Sequence, residues 1–122
     1  PAAPGTPVWT VTEAANNGIA GDSSGYIYTV GGKTNFVTPS SDLDGVIYKY
    51  DSNGTAVTTN FPIGIDHQGL QDGISKLAVD SDDNFIAVGY VTVDAAEEYY
   101  NGLIQKYNSA GELSWEVMYN GI

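Results

Sequence analysis

Chemistry in this chain must come from oxygen ligands, one histidine and a set of aromatic rings, because cysteine is absent. The run Asp80-Ser-Asp-Asp-Asn84 is its densest group of carboxylates. Hard divalent cations take about six to eight oxygen ligands, which makes Asp80, Asp82 and Asp83 the candidates for holding calcium. The run also reads as a hairpin turn, since Asp22-Ser-Ser-Gly25, Asp51-Ser-Asn-Gly54 and Asn108-Ser-Ala-Gly111 are sister sequences without the added acids. No glutamate stands where an EF-hand needs one. Asp94, Glu97 and Glu98 form a second oxygen-rich stretch, and Asp42 and Asp44 occupy the corresponding loop earlier in the chain, so a shared metal is conceivable. His67 follows Asp66, which could orient it as a general base, but no serine or cysteine nucleophile signature accompanies it. The simpler reading is a surface histidine, and the chain is read as a non-enzyme.

Aromatic rings give a different chemistry. Nine tyrosines and two tryptophans are many for 122 residues, and sugars stack on exposed rings while nearby amides bind their hydroxyls. Tyr99 and Tyr100, with Asn35 and Phe36 in the equivalent loop, are candidates for a glycan-binding surface. Trp9 and Trp115 are expected to pack on outer strands. Asn53-Gly-Thr55 is a glycosylation sequon placed at an expected hairpin tip. Lys49 and Lys106 recur at equivalent positions, which points to structural pairing with carboxylates.

These residues recur because the chain repeats. Gly18 to Gly31 lies over Lys76 to Gly89 at an offset of 58 with five identities in 14, and Gly45 to Gly54 lies over Gly102 to Gly111 at 57 with six in ten. Such self-similarity points to stacked supersecondary units. A partial third copy frames them: Val8-Trp9-Thr10-Val11 resembles Ser114-Trp115-Glu116-Val117, and Asn17-Gly18-Ile19 resembles Asn120-Gly121-Ile122.

Within each repeat the pattern is all β. β-branched and aromatic enrichment predicts strands at Tyr26 to Val30, Val46 to Tyr50, Phe85 to Val91 and Leu103 to Tyr107. Shorter ones are expected at Ile19 to Gly21, Ala56 to Asn60, Ile74 to Val79 and Leu113 to Tyr119, with an extra strand over Pro7 to Thr12. No sustained 3.6-residue stripe occurs; residues 94–100 allow one helical turn at most. Each tight turn starts with an Asp or Asn able to close an Asx turn. In three of the four, a glycine stands where φ > 0 is needed.

The segments Asp-Ser-x-Gly-x-Ile-Tyr-x-x-Gly and Asp-Gly-x-Ile-x-Lys-Tyr-Asp-x-x-Gly, followed by a tryptophan, resemble the blade repeats of bacterial β-propellers, of the seven-bladed repeat type and related tandem repeats. The resemblance implies an all-β fold of two four-stranded antiparallel propeller-like blades plus one extra N-terminal strand. It accounts for Val46-Ile47 and Leu103-Ile104 being apolar on both faces, because each blade packs on two neighbours. The expected division is a Pro-rich lead-in over 1–7, the extra strand and link over 8–17, a first blade over 18–60, a connection over 61–73, a second blade over 74–119 and a tail over 120–122.

Two blades fall short of the four to eight that close a ring. Neighbours are therefore expected, either as identical copies joined head to tail into a homo-oligomeric ring or filament, or as the rest of a longer propeller. The start at Pro1 is read as a processed or excised end, and an extracellular or cell-surface setting is expected. A net charge of −11, from 15 acidic residues against four basic ones, argues against a nucleic-acid partner. No stretch has the length of a membrane span.

Overall fold

The computed structural model describes residues 3–12, 15–34, 43–66, 70–93 and 100–120. Strands β1 (Gly18–Gly21), β2 (Ile27–Thr34), β3 (Leu43–Tyr50) and β4 (Ile63–Ile65) form one four-stranded sheet in sequential order. A second sheet repeats the arrangement with β5 (Asp72–Val79), β6 (Phe85–Thr92), β7 (Tyr100–Tyr107) and β8 (Leu113–Asn120). All neighbouring strands pair antiparallel. Among the described residues no helix is long and apolar enough to cross a membrane.

The tight turns form for the reason their sequences suggest. In each, the side-chain oxygen of the first residue accepts backbone N–H bonds two and four residues on: Asp22 from Ser24 and Tyr26, Asp51 from Asn53 and Thr55, Asp80 from Asp82 and Asn84, Asn108 from Ala110 and Glu112. Gly25, Gly54 and Gly111 take φ of 87°, 80° and 88°, and Asp83 replaces glycine at 62°. Aspartate tolerates that left-handed conformation better than most side chains, and its carboxylate has a use there, described below.

Two strands differ from the sequence expectation. The outer strand of the first sheet is not Ala56 to Asn60. Only Ala56 bridges, to Tyr50, after which the chain leaves the ladder and rejoins as β4. The detour delivers Phe61 into the core, where burying an aromatic ring outweighs a few ladder bonds. Secondly, among the described residues Pro7 to Thr12 pairs in no ladder; the segment lies against the first sheet.

In an antiparallel ladder directly opposed residues share a face, so the registers fix what each face carries. The first sheet turns Tyr28, Val30, Ile47, Lys49, Ile63 and Ile65 toward the second, here called its joining face. The second presents Ile74, Phe85, Ala87, Leu103, Gln105 and Tyr107, its receiving face. β5, the first strand of the second sheet, packs across β1, β2 and β3. Phe85 is fully buried at the centre, with ring centroids 4.7 Å from Tyr28, 5.0 Å from Tyr107 and 6.2 Å from Phe61.

Burial and the hydrogen bond to Asp22 push the Tyr28 hydroxyl well above the ordinary phenol range, and burial beside Glu116 pushes Tyr107 up to about 12. A folded-state pKa above the unfolded one means a contribution fully present below pH 10 that is lost as pH rises. The melting temperature is therefore expected to fall between about pH 10 and 12. Tyr28→Phe should flatten that slope, as followed by circular dichroism.

Candidate functional site

Asp80, Asp82 and Asp83, the expected calcium ligands, turn to different surroundings. Burial raises the Asp80 carboxyl, but Lys106 at 3.2 Å and the N–H groups of Asn84 and Asp82 outweigh it, so the group stays below its ordinary range. Asp82 lies exposed in the turn. Asp83 reaches across to the first sheet, where it accepts bonds from the hydroxyl and the N–H of Ser23, the latter at 2.9 Å. Those two bonds hold its carboxyl below the usual range. Asp83 thus clamps one sheet to the other, a role for which the glycine at its place in the sister turns has no side chain.

A different set of carboxylates comes together. Asp44 at the start of β3, Asp66 just after β4 and Asp72 at the start of β5 place one oxygen each within 4.8 Å of one another, with Asp44 and Asp72 fully buried. Asp72 accepts the N–H of Thr92 at 3.3 Å, and all three have further interactions within the fold. By donor type this is the set that could receive a hard cation. Sequence spacing concealed it, because three strand ends rather than one loop supply the oxygens.

Of the aromatic candidates, Asn35, Phe36 and Tyr99 lie outside the described residues, as do His67, Asp42, Asp94, Glu97 and Glu98. Tyr100 is half exposed and packs edge-on against Tyr90, centroids 5.4 Å apart, around a shallow cleft of about 290 Å³. Asn53 is exposed on its turn, as a glycan acceptor would need.

Lys106 has the expected carboxylate partner, whereas Lys49 has a different one. Tyr28 donates to Asp22, so Lys49 turns to the carbonyl of Ser109 at 2.5 Å, in the turn of the other sheet. Its ammonium lies 4.3 Å from the Tyr26 ring centre, 5.3 Å from Tyr28 and 5.6 Å from Phe61. Burial lowers its pKa, against the raising influence of Asp22.

Among the described residues, the far face of the second sheet gathers several exposed large hydrophobic side chains. The ladder aligns Ile86, Lys106 and Trp115, then Val88, Ile104 and Val117, then Tyr90, Gly102 and Tyr119. Trp115 is 44% exposed, Val117 41% and Tyr119 54%. At the repeat offsets, Ile86, Val88, Ile104 and Lys106 correspond to Tyr28, Val30, Ile47 and Lys49. This is the joining face of the second sheet, chemically like the one buried inside the molecule, but among the described residues it is left partly exposed.

At the opposite side, the receiving face of the first sheet carries Ile27, Thr29, Val46, Tyr48 and Tyr50, corresponding to Phe85, Ala87, Leu103, Gln105 and Tyr107. The N-terminal segment lies over it. Trp9 donates its indole N–H to the carbonyl of Ser52 at 3.0 Å and rests its ring on Gly54, where an added Cβ would come within 2.7 Å of it. Trp115 therefore departs from the packed role expected of it, while Trp9 is packed, on a turn rather than along a strand. The alternation in Leu113 to Tyr119, which puts Trp115, Val117 and Tyr119 on one face, is the sequence signal for an outer strand with an apolar outward face. No protein-family model and no curated protein sequence matches the chain.

Proposed function

We propose that the chain is a non-enzymatic, propeller-like module that self-associates head to tail, the joining face of one copy's second blade meeting the receiving face of another copy's first blade. Repeated, that contact builds a ring if the rotation closes and a filament if it does not. The role that suits it is an extracellular structural or adhesive component.

One observation carries the reading: the exposed face around Trp115, Val117 and Tyr119 stands at the repeat positions of a face that the same chain buries against its own second sheet. The contact within the chain is thus a template for one between copies. An exposed aromatic and aliphatic sheet face on a soluble domain is costly unless covered, and aromatic residues are the usual anchors of interfaces. Each copy carries a net charge of −11, so copies repel until salt screens them, while the contact itself is apolar. Sedimentation equilibrium should show a mass rising with concentration, and association should tighten between about 0.05 and 0.5 M salt, where the screening length falls severalfold. Association that weakens with added salt would speak for ionic contacts and against these faces.

Glycan binding is the second reading, favoured by the Tyr90 and Tyr100 pair at its cleft. A glycan array would reveal binding lost in Tyr100→Ala. An array without signal removes this reading.

A further inference from the structure

We infer that Trp9 is an internal plug, filling the place on the first sheet that Trp115 of a second copy takes on assembly. The inference rests on the head-to-tail reading and adds to it a site, an occupant and a competitor.

Two turns of the chain are placed to receive a neighbouring sheet. Ser109 and Gly111 belong to the second sheet, and Ser52 and Gly54 are their repeat counterparts, 57 residues earlier. In the contact within the chain, Lys49 donates to the Ser109 carbonyl, and Phe61 lies on Gly111, where a Cβ would approach the ring to 2.9 Å. At the counterpart turn Trp9 fills both roles, donating to Ser52 and covering Gly54. Both glycines have positive φ, and both leave a flat seat for an aromatic ring.

Register identifies the residue that a second copy would bring. Ile63 is paired with Ile47 and Val117 with Ile104, so Phe61 and Trp115 stand at matching places, each two residues earlier. A second copy docked as the first sheet docks on the second would carry its Lys106 to Ser52 and its Trp115 to Gly54. Trp9 already offers the same side chain there, within Val8-Trp9-Thr10-Val11, the segment that resembles Ser114-Trp115-Glu116-Val117.

The cover is also imperfect. Clefts of about 560, 260 and 230 Å³ lie between the N-terminal segment and the sheet, lined among others by Val11, Ile27, Val46, Tyr48 and Tyr50. Gaps of this size forfeit dispersion contacts that a full sheet face would make. Trp9 itself remains 36% exposed. A short segment anchored by one indole can therefore be displaced by a complete four-stranded sheet.

The experiment compares wild type, Trp9→Ala, Trp9→Phe and the double variant Trp9→Ala/Trp115→Ala by sedimentation equilibrium, with thermal melts to confirm folding. Trp9→Ala is expected to associate at least about tenfold more tightly than wild type. Trp9→Phe should lie between them, since it keeps a ring on Gly54 but loses the indole N–H. The double variant should associate weakly or not at all. If wild type associates and Trp9→Ala does so no more tightly, the plug is overturned and head-to-tail assembly stands. If neither associates at any concentration, the assembly reading itself fails. Should Trp9→Ala fail to melt cooperatively, Trp9→Phe decides alone: unchanged or weaker association overturns the plug.

Discussion

Trp115→Asp is expected to leave the protein folded and to weaken its self-association by more than about 100-fold, since large aromatic anchors dominate interfaces and a carboxylate placed there must be desolvated on association. Trp115 lies on the last strand of the second sheet, 44% exposed, and its cross-strand neighbour is Lys106. A substitution at such a surface position typically changes stability by no more than about 0.5 kcal/mol. The melting curve should therefore almost superimpose on that of wild type while the sedimenting mass stays at 12.9 kDa. A large loss of stability would place Trp115 in the fold rather than at a docking face. Association at wild-type strength would remove Trp115 from the interface.

Phe85→Ala is the substitution with the largest expected effect on the fold. The ring is fully buried and sits among Tyr28, Phe61 and Tyr107, so truncation both removes apolar burial and leaves a cavity where the two sheets meet. Phe→Ala in a packed core costs about 3–5 kcal/mol, a large share of the roughly 5–15 kcal/mol that holds a small domain together. Urea titration should show a matching fall in unfolding free energy. A change below about 1 kcal/mol would mean that the sheets do not share one core. Ile27→Ala, at the equivalent position of the first sheet, provides the contrast. That side chain faces the N-terminal segment and its clefts rather than a second sheet, and its truncation should cost clearly less.

The contrast between Phe85 and Ile27 also marks what a sequence of this kind discloses. The repeat offsets, the four strands of each repeat and the four Asx turns were legible because each rests on local chemistry: side-chain length, β propensity, and glycine where φ is positive. Both central strands of each sheet extend beyond their expected bounds, as at Leu43–Tyr50, where Gly45 and Asp44 give no strand signal of their own. The outer strand of the first sheet was misplaced because Phe61 is drawn to a core assembled from both repeats, a demand that nothing near residue 61 announces.

The candidate site was less legible for the same physical reason. Asp83 reads as a metal ligand when its neighbours are Asp80 and Asp82, but its partner in space is Ser23, 60 positions away. Asp44, Asp66 and Asp72 read as unrelated until three strand ends meet. Trp9 and Trp115 look alike in sequence, and what separates them is that one has a turn to rest on and the other faces solvent. Lys49 and Lys106 also look alike, yet the Tyr28 hydroxyl at Asp22, absent from the counterpart Ile86, sends Lys49 to the other sheet.

Head-to-tail assembly through two different faces is tested most directly by mixing. Trp115→Asp lacks a working joining face but keeps its receiving face, so labelled variant added to wild type should enter assemblies as a single terminal copy and shorten them in proportion to the amount added. Analytical ultracentrifugation at the label's wavelength measures this. The predicted result is labelled material sedimenting with wild type at more than 12.9 kDa, together with a fall in the mean mass of the mixture. Labelled variant that stays at the monomer mass while wild type assembles, or wild type that remains a monomer at every concentration, would contradict the account.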